Sequence, residues 1–175
     1  MAVNLAPPDP ASLCPVPGVK LGIAAAGIRQ SGRKDLLLIR LGDGSRVAGV
    51  FTRNRFCAAP VVVAREHLTA RTGVRALVVN TGNANAGTGS EGIARARATC
   101  EAVARAIGCD AREVLPFSTG VIMEPLPVER IVAGIPACVA DLRPGNWFSA
   151  AEAIMTTDTV PKAHAARLSI DGRET

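Results

Sequence analysis

Apolar residues come in short runs along this chain, separated by glycine, proline and polar clusters, and only a few stretches carry a helical period. Leu36-Leu37-Leu38-Ile39-Arg40-Leu41 is the clearest strand. Gly42-Asp43-Gly44-Ser45 follows as a turn and Arg46 to Thr52 as a returning strand, so the pattern predicts a hairpin over 36–52. Upstream, Leu21 to Ile28 is small and apolar and closes on a polar turn, Arg29 to Asp35. Downstream, Cys57 to Val63 leads into a short helix around Ala64 to Leu68, where His67 reads as a surface residue. Arg75-Ala76-Leu77-Val78-Val79 is a further buried strand, running into Asn80 to Gly89, which has neither period.

Between Glu91 and Ile107 the apolar positions Ile93, Ala96, Cys100, Val103, Ala104 and Ile107 share one helical face, and Gly108 supplies the C-terminal cap. Val114 to Phe117 reads as a strand end giving way to Ser118-Thr119-Gly120. Pro125 and Pro127 stop extended pairing and set up a helix from about Val128, with Ile131, Val132, Ile135 and Val139 inward and a kink at Pro136. A short helix is expected over Trp147 to Met155, N-capped by Asn146. Ala166 to Ile170 alternates like a strand before Asp171-Gly172, a hairpin turn whose returning strand has only Arg173, Glu174 and Thr175, so the chain is expected to belong to something longer. The pattern predicts one mixed α/β domain over 1–175, with a proline-rich arm over 1–17.

Composition narrows this picture. Hydrophobic residues make up 48% and aromatics 3%, with no tyrosine, so the core has to be built from Ala, Val, Leu and Ile. The net charge of +5 is carried mainly by arginine, but the arginines are scattered, often beside acids, and lack aromatic partners for stacking bases. A nucleic-acid partner is therefore not expected. Five cysteines without a C-x-x-C pair, and only two histidines, argue against a structural metal site and for reduced, mostly buried thiols in a cytoplasmic protein. No signal peptide or membrane-span pattern is present.

Three stretches could carry chemistry. Gly82-Asn83-Ala84-Asn85-Ala86-Gly87 has the glycine spacing of a phosphate loop, but Thr88-Gly89 stands where Lys and Ser or Thr are needed, so a compact loop beside a site is the better reading. Ser118-Thr119-Gly120 ends a strand just before a helix, where a hydroxyl and a backbone N–H can aim at one point, the geometry of an oxyanion hole. The plain alternative is a tight connection using Gly120 for its φ. Met155-Thr156-Thr157-Asp158-Thr159-Val160-Pro161-Lys162 sets hydroxyls, a carboxylate and an ammonium in one loop: either a helix exit bonded to its own backbone or a pocket for an amino-acid-like substrate. There is no G-x-S-x-G elbow and no convincing nucleophile.

Taken with Val50-Phe51-Thr52-Arg53-Asn54 and Asn80-Thr81-Gly82-Asn83-Ala84-Asn85-Ala86, these motifs resemble, in content and order, the N-terminal half of the ornithine acetyltransferases (glutamate N-acetyltransferases), over about Val16 to Thr175. The resemblance implies an α/β fold of the N-terminal-nucleophile type, with sheets shared between an α and a β chain cut from one precursor. This chain matches α, in an expected α2β2 assembly. The threonine that starts β would take the acetyl group of N-acetylornithine and pass it to glutamate. Some family members also use acetyl-CoA, and no other cofactor is expected. Thr119 and Gly120 match the oxyanion-hole pair and Thr156 a substrate-contacting threonine; Thr157, Asp158 and Lys162 share that motif without assigned contacts. Two departures stand out: Met123 replaces a glycine common in the family, and the Lys-Gly-rich segment and cleavage site lie beyond Thr175. A self-cleaving aminopeptidase and a non-catalytic amino-acid-binding domain remain the alternatives.

Overall fold

Leu36–Leu41 is apolar on both faces, and such a strand needs a neighbour on each edge and cover above and below. In the computed structural model, which describes residues 6–174, it receives both. Strands β1 (Val19–Ala24), β2 (Leu36–Leu41), β3 (Ala76–Asn83) and β4 (Val114–Val121) form one sheet in that order. β2 pairs antiparallel with β1, from Val19 opposite Leu41 to Ala24 opposite Leu36, and antiparallel with β3. β3 and β4 run parallel, which requires a crossover, and helix α2 (Gly89–Ile107) makes it.

The expected 36–52 hairpin does not form. Residues 46–52 carry no strand, and the partner of β2 is β1, reached across the polar turn at 25–35. Only Val47 and Phe51 of the returning segment reach the sheet, packing onto Leu41, Leu68 and Leu77, while Val50 is 100% exposed. One apolar strand outcompetes another that can bury only alternate residues.

On one face of the sheet Leu36, Leu38, Ala76, Val78 and Val114 pack against α2 and helix α3 (Val128–Ala140), through Ala96, Cys100 and Val103 of the first and Ile131, Ile135 and Cys138 of the second. The approach is closest at Gly22, where a Cβ would lie 1.9 Å from the Cys138 carbonyl oxygen. Val132, expected inward, is 39% exposed, because the buried stripe runs Ile131, Gly134, Ile135, Cys138 at i, i+3, i+4, i+7. Pro136 does sit inside α3, on its exposed side. On the opposite face Leu21, Ile23 and Leu37 pack against Ala150 and Ala153 of helix α4 (Trp147–Ala153).

Helix α1 (Ala59–Thr69) starts earlier than expected, with Pro60 in its first turn, where a missing N–H costs nothing. It packs along β4 and buries His67, whose Nδ1 lies 2.8 Å from the Val114 carbonyl oxygen. The surface reading of His67 is thus corrected: an apolar helix flank needs its polar member satisfied, and a strand carbonyl does so. Asn146 precedes α4 but does not cap it with its side chain; Nδ2 donates instead to Leu21 O (2.8 Å) and Asp141 O (2.9 Å), tying the α3–α4 connection to β1. Gly108 ends α2 at φ +71° as expected. Strands β5 (Ser169–Ile170) and β6 (Arg173–Glu174) close a two-residue hairpin over Asp171 and Gly172, both at positive φ. Among the described residues no helix is long and apolar enough to cross a membrane.

Candidate active site

The parallel strands β3 and β4 set Thr81 beside Thr119 and Gly82 beside Gly120, with a register shift at Asn83. Gly82 and Gly120 adopt φ +97° and +137°, which side chains rarely tolerate. A Cβ on Gly120 would fall 2.3 Å from the Gly82 carbonyl carbon and 2.6 Å from the Asn83 nitrogen. The two backbones therefore touch where the strands end, and glycine at 120 is a requirement of that contact. β3 extends to Asn83, four residues past its apolar run.

A cavity of about 490 Å³ opens at this point. Thr119, Gly120, Thr156 and Thr157 line it, with Arg29 and Arg33 among the other lining residues. The residues singled out for the oxyanion hole and for substrate contact thus share one space, though Gly120 and Thr156 lie 36 residues apart in the chain. Asp158 and Lys162 do not line it; they pair with each other, and the hydrogen bond from the Lys162 ammonium holds the Asp158 carboxyl below the ordinary carboxylate value. The Asp158 carboxylate also accepts from the Thr156 N–H at 3.4 Å, so this pair shapes the loop that carries Thr156.

Hydroxyl chemistry separates within three residues. Ser118 Oγ donates to Asn80 Oδ1 at 2.6 Å and is spent on structure. The Thr119 hydroxyl, half-buried on the cavity wall, has no hydrogen-bond partner among the described residues. The end of β3 and the loop that follows carry buried asparagines bonded to their surroundings: Asn80 Nδ2 to Asn83 O (2.8 Å), Asn83 Nδ2 to Pro125 O (3.1 Å), and Asn85 Nδ2 to Gly92 O (2.9 Å). Asn80 closes the end of β3 on itself, while Asn83 and Asn85 hold the loop against the segment after β4 and against α2. The loop frames the site by ordering backbone.

Two residues that the sequence reading passed over complete the frame. Asp35 is buried, and its carboxylate accepts from Ala26 N (2.7 Å) and Ile28 N (2.6 Å), while its backbone oxygen accepts from Thr81 N at 2.9 Å. That ties the 25–34 loop to β3 beside the cavity. Its signal was an acid placed directly before an apolar strand. Arg29, on the cavity wall, forms an ion pair with Glu124 at 2.8 Å, linking the same loop to the segment after β4. Met123 has φ +65°, the conformation for which a glycine is favoured. Its N–H donates to Ala86 O at 2.8 Å, so the strained turn stays latched to the asparagine loop.

The cysteines are all free. Cys100 and Cys138 are buried, and loss of hydration pushes their thiols up to about 12. The expectation of mostly buried thiols holds for these two; Cys14, Cys57 and Cys109 are half-buried.

Known structures share this fold. The ornithine acetyltransferase of Mycobacterium tuberculosis, solved with ornithine, superposes with a TM-score of 0.78 at 42% identity, over 83% of this chain and 79% of that one. The arginine biosynthesis bifunctional protein argJ of Bacillus halodurans gives 0.71 at 28% identity, over 90% and 82%. The mixed α/β fold is thus that of the ornithine acetyltransferases, the N-terminal-nucleophile type. A model of the ArgJ family matches residues 20–175, and the chain that builds this cavity belongs to that family, the acetyltransferases of arginine biosynthesis.

Proposed function

We propose that this chain is the α chain of an ornithine acetyltransferase, working with a β chain cut from the same precursor. The hydroxyl of the β chain's first threonine attacks the acetyl carbonyl carbon of N-acetylornithine while its own amine accepts the proton. The carbonyl oxygen becomes an oxyanion, met by the Thr119 hydroxyl and the Gly120 N–H. The C–N bond then breaks, the proton passes to the departing ornithine amine, and an acetyl-threonine ester remains. Glutamate attacks that ester and leaves as N-acetylglutamate, which completes a ping-pong cycle. Thr156 holds the substrate. Acetyl-CoA is a further acetyl donor for some enzymes of this kind, and no cofactor is needed.

The observation that carries this reading is the unpaired Thr119 hydroxyl beside Gly120 in a cavity that Thr156 also lines. A preformed donor aimed into a cleft is the arrangement that stabilises developing negative charge. A second feature supports a partner chain. On the α4 face the sheet is only half covered, with Ile39, Leu77 and Val79 partly exposed and Phe117 42% exposed. A β chain packed there would cover that face and bring its threonine towards the end of β4, in a cytoplasmic α2β2 enzyme.

The test is to express the precursor, purify what copurifies, and determine intact masses and N-terminal sequences. A second chain beginning with threonine, together with acetyl transfer from N-acetylornithine to glutamate, is expected. Peptide hydrolysis without acetyl transfer would assign the self-cleaving aminopeptidase instead, and amino-acid binding by this chain alone, without a partner, would assign a binding domain.

A further inference from the structure

The wall of the cavity that carries Thr156 and Thr157 is the exit of α4, a helix of only 7 residues. A helix that short has little hold on its own last turn, and its final carbonyls have no intrahelical donor. Neighbouring elements supply the donors. Thr81 Oγ1 donates to Ala153 O at 3.1 Å, and Thr81 is the cross-strand neighbour of Thr119. The Arg33 guanidinium donates through Nη2 to Met155 O and, at 3.5 Å, to Thr156 O. Next to it, Lys34 forms an ion pair with Glu152 at 2.6 Å and lies 3.3 Å from Ser149 Oγ.

Arg33 and Lys34 thus clamp the β1–β2 turn onto the end of α4, but they differ in where they sit. Lys34 reaches outer side chains and is exposed; Arg33 is half-buried, lines the cavity, and holds the backbone of the residue that contacts substrate in the proposed reaction. The Asp158 carboxylate takes the Thr156 N–H from the other side. With its N–H and its C=O both held, Thr156 keeps one orientation relative to Thr119.

We infer that Arg33 is a positioning residue that sets the place of Thr156 and thereby the affinity for the acetyl donor, an inference that rests on the proposed acetyl transfer. It acts through two main-chain carbonyls and touches no reacting atom. The planar guanidinium donates to both carbonyls from one fixed place, which an ammonium on a flexible stem does less well. Thr119 and Gly120 are held separately by the β3–β4 ladder, so their work on the oxyanion does not depend on Arg33.

The experiment uses the assembled enzyme and the kinetics of N-acetylornithine. Arg33→Ala is expected to raise KM about tenfold and change kcat less than about threefold, as loss of ground-state and transition-state binding together would. Arg33→Lys, which keeps the charge, is expected to fall between the two, and it carries the test if Arg33→Ala does not fold. Because Arg33 acts through Thr156, the Arg33→Ala, Thr156→Ala double variant should show the KM of Thr156→Ala alone. An unchanged KM in both Arg33 variants, effects of Arg33→Ala and Thr156→Ala that multiply, or a fall in kcat as large as the rise in KM would each overturn the inference. If Thr156→Ala itself leaves KM unchanged, the proposed role of Thr156 falls, a separate result from failure of the Arg33 clamp.

Discussion

Ser118 and Thr119 are adjacent hydroxyls on one strand, and the alternation of a strand sends them to opposite faces. Ser118 meets Asn80 on the face covered by α2 and α3; Thr119 faces the cavity with Thr81. A chain read only as Ser-Thr-Gly does not say which hydroxyl is free, and that is settled by the register between β3 and β4. Gly120 is more legible, since a glycine closing an apolar run signals unusual φ, although β4 continues through it to Val121 and the reason it cannot be replaced lies across the sheet at Gly82. Gly120→Ala is expected to push β3 and β4 apart at the site, costing roughly 3 kcal/mol or more. Thermal unfolding would show this as a Tm lowered by about 6 °C or more. An unchanged Tm would mean that the strands do not touch there.

At the scale of elements, α2 was legible almost residue for residue, because its apolar face repeats over five turns and Gly108 marks its end. The hairpin over 36–52 was not, because turn chemistry at Gly42 to Ser45 is local whereas the choice between two partners for β2 is decided by burial at a distance. His67 was misread for the same reason: its partner carbonyl is 47 residues away. The packing of α2 and α3 on the sheet has its own pH signature. Cys100 and Cys138 face that interface, with thiols raised from 9.0 to about 12 by burial. A raised value means the fold favours the neutral form, so this stability is intact below pH 9 and is lost as pH climbs from 9 towards 12. Each thiol would remove at most about 1.4 kcal/mol per pH unit over that window. Denaturant midpoints measured from pH 8 to 10.5 should fall above pH 9, and less steeply once both cysteines are alanine. Equal slopes for the two proteins would show that the thiols are not the cause.

For the whole molecule, the sequence motifs at 80–86, 118–122 and 155–162 lie far apart in the chain and converge because β3, β4 and the exit of α4 meet at one end of the sheet. Their meeting point could be guessed from the family resemblance, but the devices that bring them together could not. Asp35, Arg33 and Arg29 sit in a turn whose sequence reads as plain polar surface, yet they tie that turn to β3, to α4 and to Glu124. The central claim is that Thr119 on this chain stabilises the oxyanion of an acetyl transfer performed with a partner's threonine. The most direct measurement is kcat for transfer from N-acetylornithine to glutamate by the assembled enzyme carrying Thr119→Ala. The account predicts a fall of about 10²–10³ with the fold and assembly intact; turnover at the wild-type rate would contradict it.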